Sequence, residues 1–206
     1  MKEIFGEDMA YFLWSENGGY PLDLAPNGAS SILFKSLIDH YGDRKQALMS
    51  KAKVYSSNFK DWFGDWAKED KTDVSKVVDE NGEPLVVYHG SNYENDSTII
   101  GDWSNNALPY ATYFAPYQYG DLKYVYLAFL NIKNPIYSDA DLTEEAIQDK
   151  HIFDKFIIDK GYDGAISGTV DYDKEAPSEA SEAREIIVTH PNQIKSATNN
   201  NGEFSK

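Results

Sequence analysis

Three side chains of complementary chemistry stand on or beside short β-type runs at widely separated points of this sequence. A histidine grips a hydroxyl by hydrogen bonding, a tyrosine packs against a flat ring, and a carboxylate stabilises positive charge that develops during a reaction. Bond cleavage at a sugar carbon passes through such a cation-like state. The side chains are His89, Tyr113 and Glu185, in the runs Val86-Val87-Tyr88-His89-Gly90-Ser91, Thr112-Tyr113-Phe114-Ala115 and Glu185-Ile186-Ile187-Val188.

The elements that must position these side chains are predicted to be short strands. Two of them flank the turn signal of residues 79–84 and read as a hairpin, which places His-Gly-Ser in a turn at the end of the second strand. A later run, rich in aromatic and aliphatic residues, is typical of a buried strand. The predicted strands are Val74–Val78, Leu85–Tyr88, Thr112–Ala115, Leu122–Ile132, a run after Asp163, and Ile186–Val188, which Glu185 opens.

Helices are predicted mainly in the N-terminal third, after an irregular start with Gly18-Gly19 and two prolines over residues 1 to about 28. Short strands with few helices between them predict an α+β fold, because a doubly wound sheet needs regular alternation. We expect an N-terminal region over residues 1–70 and a second domain over 71–206. The predicted helices run through Ile32–Ile38, from Arg44 to about Tyr55, from a cap at Ser56 or Ser57, and over Leu142–Lys160 with Gly161 just past its end.

Composition excludes several classes of function. The chain of 206 residues has a formal net charge of -15, so general binding to nucleic acid or anionic lipid is not expected. It contains no cysteine, and its four histidines show no ligand spacing, so no metal site is expected. No apolar stretch approaches a membrane span and the first residues lack a signal-peptide pattern, which favours a cytoplasmic location.

The His-Tyr-Glu order resembles that of the ADP-ribosyltransferases, the superfamily of diphtheria toxin and the poly(ADP-ribose) polymerases. The resemblance implies NAD as co-substrate, cleavage of its nicotinamide–ribose bond, and no metal. It implies that His89 bonds the adenosine-side ribose, that the Gly90 backbone holds the nicotinamide amide, and that Tyr113 packs on the nicotinamide ring. Ser91 would help to hold the first strand or a ribose. A second stacking tyrosine is usual, and Tyr117, Tyr119 and Tyr124 are all candidates.

Further motifs resemble a narrower group, the transferase domains of phage and mobile-element polyvalent proteins. The similarity covers roughly residues 56–204 and implies a split two-sheet core with NAD between the sheets. It also implies that the loop over about 168–183 helps to choose the acceptor. The motifs are Phe59–Trp66, Ser75–Ser91, Leu130-Asn131-Ile132-Lys133-Asn134-Pro135, Gly161-Tyr162-Asp163-Gly164 and Asn192-Gln193-Ile194-Lys195-Ser196-Ala197.

Glu185 is the expected catalytic carboxylate, with Glu179 and Glu182 as rivals in the preceding loop. Ala183 stands where arginine-directed relatives carry Glu or Gln, which disfavours arginine as acceptor. The sequence therefore predicts a mono-ADP-ribosyltransferase with an unknown acceptor, for which a host protein is expected, acting in the host cytoplasm if a phage encodes it. The alternatives are an NAD glycohydrolase, a catalytically inactive NAD- or partner-binding module, and an RNA 2′-phosphotransferase, which the net charge disfavours.

Overall fold

A computed structural model of the protein describes residues 32–92, 112–118, 122–138, 157, 159–169 and 177–198. The described residues fall into two compact units, 32–62 and 63–198. The domain boundary that the sequence places after residue 70 stays a prediction. Several predicted features lie outside the described residues: the irregular segment over 1–28, Tyr119, most of the helix over 142–160, and residues 170–176 of the loop before Glu185.

The first unit is built from short helices whose ends follow local capping rules. Gly42 ends the first helix with φ of 60°, and its N–H donates to the Ile38 carbonyl at 2.8 Å. The Asp43 carboxylate caps the second helix by accepting from the Gln46 N–H at 2.8 Å. The helices are α1 (Ile32–Tyr41), α2 (Arg44–Lys53) and α3 (Ser57–Phe63), whose last residue begins the second unit.

Two boundaries of these helices refine the predictions. Helix α2 ends at Lys53 rather than near Tyr55, because the N–H groups of residues 54–56 bond to carbonyls three residues back and tighten the chain into a turn. Of the two serines predicted to cap α3, the Ser56 hydroxyl accepts from the Phe59 N–H at 3.2 Å. Ser56 is therefore the N-cap residue.

The second unit contains two sheets, which confirms the predicted split two-sheet α+β architecture. Within the described residues one sheet has three strands in the order β1-β3-β7 and the other has four in the order β2-β6-β5-β4. All pairs are antiparallel except β4 with β5. The strands are β1 (Val87–Ser91), β2 (Thr112–Phe114), β3 (Tyr124–Leu130), β4 (Pro135–Ser138), β5 (Gly164–Thr169), β6 (Ala183–Val188) and β7 (Ile194–Ser196).

The structure corrects four strand predictions. His89, Gly90 and Ser91 lie inside β1 and not in a turn, because β3 is long enough to pair with all of them. Glu185 is the third residue of β6 rather than its opening residue, since pairing with β5 reaches back to Ala183. The predicted strand over 74–78 is reduced to one bridge between Val78 and Pro84. Strands β4 and β7 are additional, and β4 begins with a proline, which an edge strand tolerates.

The chain passes from one sheet to the other between β3 and β4 and again between β6 and β7, and a group of polar residues joins these two crossings. We call Asn131, Asn134, Asp163 and Gln193 the polar junction. The Gln193 amide donates to the carbonyls of Asn131 at 3.2 Å and Asp163 at 2.5 Å, and its oxygen accepts from the N–H groups of residues 189 and 190. The Asp163 carboxylate accepts from the N–H groups of residues 133 and 134 at 2.7 and 2.8 Å. The junction thus fixes both crossings.

Close approach of the backbone also matters where β5 begins. A Cβ atom at Gly164 would lie 2.7 Å from the Ile187 carbonyl oxygen and 2.9 Å from the Ile132 side chain. Only glycine therefore fits there. Just before it, Gly161 adopts φ of 78°, and the Tyr162 N–H bonds to the Ile157 carbonyl at 2.9 Å. This is the C-terminal capping pattern that the sequence predicts for Gly161.

Candidate active site

The two sheets come together at one pair of residues beside His89. The N–H and carbonyl groups of Tyr88 bond to those of Ala115 at 2.8 and 2.9 Å, directly after β2 ends. Next to this bridge the Nδ1 atom of His89 lies 2.6 Å from the carbonyl oxygen of Tyr113. The His89 side chain thus takes the place of the next backbone hydrogen bond between the two strands, and β1 and β2 diverge here. This divergence is the gap between the sheets.

The contact with Tyr113 fixes how the His89 ring is used. A carbonyl oxygen only accepts hydrogen bonds, so Nδ1 must carry the proton. In the neutral ring Nε2 is then an acceptor, suited to a hydroxyl donor. The ring also packs edge-on against Phe114, with centroids 5.5 Å apart. Backbone and aromatic contacts together hold the ring beside the gap.

Gly90 presents its backbone to the same gap. In a strand the N–H and carbonyl groups of alternate residues point the same way. Since those of Tyr88 point toward Ala115, those of Gly90 point across the gap as well. A Cβ atom on Gly90 would lie 2.1 Å from Cδ1 of Leu122, so a larger residue at this position has to displace the Leu122 side chain. Leu122 therefore covers this part of β1.

Tyr113 and Glu185 share one face of the four-stranded sheet. Tyr113 is paired with Ile187, and residues two apart on a strand point the same way, so Glu185 lies diagonally from Tyr113. Both are half-buried, and the Tyr113 hydroxyl and the Oε2 atom of Glu185 are buried atoms. Ala115, two residues after Tyr113, lies on the same face and is paired with Tyr88 of β1. Gly90, two residues after Tyr88, therefore belongs to this face as well. By register Gly90, Tyr113 and Glu185 thus share one face, and His89 belongs to the other face of β1, with its ring bonded to the Tyr113 carbonyl at the gap.

The three tyrosines predicted as candidates for a second stacking contact lie in different parts of the chain relative to the gap. Tyr124 is paired with Ser91, and Tyr126 with His89, so both tyrosines lie on the His89 face of β1 and β3. Tyr117 follows the bridge and is half-buried, and Tyr119 lies outside the described residues. The sequence reasoning did not select Tyr126, although its spacing of two from Tyr124 on a predicted strand was the signal for it. Its partner strand could not be known from spacing alone.

The carboxylates of Glu182 and Glu179, the two alternatives to Glu185, form hydrogen bonds within the turn to which they belong. Glu182 accepts from the N–H group of Ser178 at 3.0 Å and from its hydroxyl at 2.7 Å. Glu179 accepts from the Ser181 hydroxyl at 2.8 Å. Glu182 lies in the short 3₁₀ segment before β6 and Glu179 at its N-cap position, so neither belongs to the sheet. Glu185 is therefore the carboxylate of this region that the sheet directs to the same face as Tyr113.

These features define the class: a split two-sheet α+β fold whose sheets part beside a histidine, a glycine, a tyrosine and a glutamate. The family model of ADP-ribosyltransferases in polyvalent proteins matches residues 79–204, which is more than half of the chain, and the protein belongs to this family. The matched range begins at Asp79, so the resemblance expected for residues 56–78 lies outside it. The family uses NAD as its substrate. No curated protein and no solved structure matches the chain.

The described residues contain no helix that is both long and apolar enough to cross a bilayer. In the same ranges there is no group of three or more acidic or histidine side chains that would hold a metal ion.

Proposed function

We propose that the protein is a mono-ADP-ribosyltransferase that cleaves the nicotinamide–ribose bond of NAD and transfers ADP-ribose to an acceptor. The observation that supports this most directly is that His89 contacts Tyr113 where β1 and β2 diverge, while Glu185 shares a face of the sheet with Tyr113. The three residues come from strands of both sheets. They are 24 or more positions apart in the sequence, so chance proximity along the chain does not explain the arrangement.

On this proposal NAD is held across the gap. The Gly90 N–H and carbonyl groups have the complementary donor and acceptor that a carboxamide requires. Tyr113 supplies a flat face for the nicotinamide ring, and stacking of such rings contributes about 0.5–1.5 kcal/mol beyond burial. Nε2 of His89 accepts from a hydroxyl of the adenosine-side ribose. Tyr124 and Tyr126, on the His89 face with Ser91, serve the adenosine half rather than nicotinamide.

The Glu185 carboxylate acts on the bond that breaks. The C1′–N bond cleaves with its electron pair leaving on the nicotinamide nitrogen, which becomes neutral, while positive charge develops on the ribose. Glu185 binds the 2′-hydroxyl and stabilises that charge. The acceptor then bonds to C1′ and loses its proton to solvent. Since the carboxylate is needed in the transition state more than in the ground state, its loss lowers turnover more than NAD binding.

The acceptor is proposed to be a side chain of a host protein other than arginine, because Ala183 stands two residues before Glu185. Ala183 is fully buried in β6, so it has no group to offer an acceptor. The turn over residues 177–182 precedes β6 and is fixed by the contacts of Glu179 and Glu182. We assign the choice of acceptor to this turn and to the rest of the loop before it. The proposed site of action is the host cytoplasm.

The test is nicotinamide release from NAD by the purified protein, with and without a bacterial lysate. Three proteins are compared: the wild type, Glu185→Gln, and Glu182→Gln as a matched control whose carboxylate caps its own turn. Labelled ADP-ribose recovered on macromolecules identifies transfer. We expect release that depends on the lysate, a loss of about 10²–10³-fold in Glu185→Gln, and near wild-type rates in Glu182→Gln.

Each other outcome selects a different function. Release without lysate and without labelled acceptor would indicate an NAD glycohydrolase. NAD binding with no release under either condition would indicate an inactive binding module. Equal loss in both glutamate variants would mean that the carboxylate in β6 is not the reactive one. Transfer to RNA, or a reaction of 2′-phosphorylated RNA with NAD, would indicate the phosphotransferase.

A further inference from the structure

The strand next to Glu185 carries a buried serine directly opposite it. In the pairing of β5 with β6, Ser167 is the partner of Glu185. Directly opposed residues of an antiparallel pair point to the same face, with Cβ atoms about 4.5–5.5 Å apart. A serine hydroxyl at that separation reaches a glutamate carboxylate. Resting on the proposed function, we propose that Ser167 is a positioning residue, whose hydroxyl donates to the Glu185 carboxylate and holds it toward the gap.

The shared face is established by contacts as well as by register. One row across the sheet holds Ile136, Ala165, Ile187 and Tyr113, and these residues pack into a single apolar cluster with Ile157. The next row, by the same pairing, holds Ser138, Ser167 and Glu185. An apolar row thus lies beside a polar row on one face of the sheet.

The pairing also leaves little freedom for Ser167 to move relative to Glu185. On one side Ile166 is paired with Ile186, and on the other Thr169 is paired with Ala183. Between them Gly168 adopts φ of 62° and packs against the side chain of Arg184, at 3.3 Å from an added Cβ. A register slip would turn Glu185 to the other face of the sheet. The neighbouring pairs therefore hold the two side chains opposite each other.

The burial of Ser167 means that its hydroxyl needs a hydrogen-bond acceptor within the protein. Ser167 is 1% exposed, and a buried hydroxyl has to donate its proton within the protein because water does not reach it. A hydrogen bond to an ionised carboxylate is among the stronger kinds. Restricting the carboxylate to one rotamer benefits the transition state, because a group that is already oriented needs no reorganisation when charge develops. Binding of NAD in the ground state gains little from it.

Ser138 offers a matched control on the same face. It is the partner of Ser167 in β4 and is also buried, with 7% exposure, but it stands one strand further from Glu185. Strands in a sheet are about 4.8 Å apart, so a Ser138 hydroxyl does not reach the carboxylate across β5. Removing each hydroxyl in turn separates a specific effect on Glu185 from a general effect of polar groups in this row.

The experiment measures nicotinamide release, NAD binding by calorimetry and thermal unfolding for the wild type, Ser167→Ala, Ser167→Thr and Ser138→Ala. We expect kcat of Ser167→Ala to fall about tenfold to a hundredfold, the range that a hydrogen bond to a charged group implies. Its Kd for NAD should stay within about twofold, because the ground state does not depend on the contact. Ser167→Thr, which keeps the hydroxyl, should recover most of the rate, and Ser138→Ala should behave as the wild type.

Several results would overturn the assignment. A wild-type rate in Ser167→Ala, or an equal loss in Ser138→Ala, would remove the specific link to Glu185. A loss that appears in the Kd for NAD rather than in kcat, or that Ser167→Thr does not recover, would indicate a packing role. If the wild type itself releases no nicotinamide, the proposed function fails. If the wild type is active and only the serine comparison fails, the proposed function stands without Ser167.

Discussion

Two regions of the second unit, the polar junction and the gap between β1 and β2, use polar groups in different ways. At the polar junction of Asn131, Asn134, Asp163 and Gln193, side-chain groups are consumed by hydrogen bonds to the backbone of neighbouring segments. At the gap, the Nδ1 atom of the His89 ring bonds to the Tyr113 carbonyl, and we propose that Nε2 serves the ligand. The backbone of Gly90 faces outward across the gap. The polar groups of the junction thus stabilise the fold, whereas we propose that those at the gap bind NAD.

The same difference divides the sequence motifs into those that stabilise the fold and those that contribute residues to the candidate site. The Asn-Pro, Gly-Tyr-Asp-Gly and Asn-Gln motifs supply the junction, and their residues bond to one another. Ser75, in a fourth motif, donates to the Leu130 carbonyl at 2.8 Å and accepts from the Ile132 N–H at 3.1 Å, so it also serves the frame. The His-Gly-Ser, Tyr-Phe-Ala and glutamate motifs are those that we propose for the chemistry. Changes at the junction should therefore affect stability, and changes at the gap should affect activity.

The largest expected effect on stability is at the junction. Gln193→Ala removes four side-chain hydrogen bonds and deprives partly buried backbone groups of these partners. We expect a loss of about 2–4 kcal/mol in the free energy of unfolding, since each unsatisfied group costs about 1–3 kcal/mol and the site relaxes in part. Chemical denaturation measures it, with the neighbouring exposed residue changed in Asn192→Ala as control. Undiminished stability with reduced activity would reverse the proposed division of roles.

A second effect concerns crowding at the gap. Gly90→Ala places a methyl group against Leu122, and overpacking of this kind costs about 1–3 kcal/mol. We expect nicotinamide release to fall about tenfold as β1 shifts, since one such factor corresponds to about 1.4 kcal/mol. The double variant Gly90→Ala with Leu122→Ala should recover part of the rate. No recovery in the double variant would mean that Leu122 is not the obstacle.

The two nitrogens of His89 can be separated by amide substitutions. In His89→Asn the amide nitrogen takes the place of Nδ1 and preserves the bond to the Tyr113 carbonyl, whereas His89→Gln reaches the position of Nε2. We expect His89→Asn to retain stability but to raise the Kd for NAD about fivefold, the value of one ordinary hydrogen bond. His89→Gln should show the reverse pattern. Identical behaviour of the two variants in calorimetry and unfolding would contradict the assigned tautomer.

The smallest effect is at the turn before β1, where Asp79 is 2% exposed. Its Oδ1 atom accepts from the N–H groups of Asn81 and Glu83, whereas Oδ2 is buried with no hydrogen-bond partner among the described residues. Burial raises the pKa of the Asp79 carboxyl above its ordinary value. Because the folded pKa is the higher one, ionisation of this carboxyl opposes folding. Its contribution to stability therefore falls as pH rises from the unfolded pKa through the folded one.

Asp79→Asn keeps the oxygen that accepts both N–H groups and removes the charge. We expect it to raise the free energy of unfolding by about 0.5–1 kcal/mol at pH 7, an ordinary magnitude for a single substitution. At pH 3, where the wild-type carboxyl is also neutral, the gain should disappear. Denaturation curves at the two pH values measure the difference. A destabilised variant at pH 7 would mean that the turn depends on the charge itself.

Much of the frame and the identity of the candidate residues followed from sequence patterns. Gly42 and Gly161 end helices, Ser56 caps one, and the apolar run over 124–130 forms the longest described strand, all by local rules. Predictions were wrong where a partner strand decides the outcome. His89–Ser91 became strand because β3 offers pairing partners, and the pairing of β6 with β5 moved the start of β6 back to Ala183.

The sequence by itself determined the residue types: a histidine, a tyrosine and a glutamate beside apolar runs, in the order of one family. Only the tertiary structure decided that His89 and Tyr113 approach the gap from opposite sides, that Glu182 serves its own turn, and that Ser167 stands opposite Glu185. Local propensity depends on neighbours along the chain, whereas these arrangements depend on strand register and on where two sheets part. Both are set by contacts between segments that the sequence separates by tens of residues.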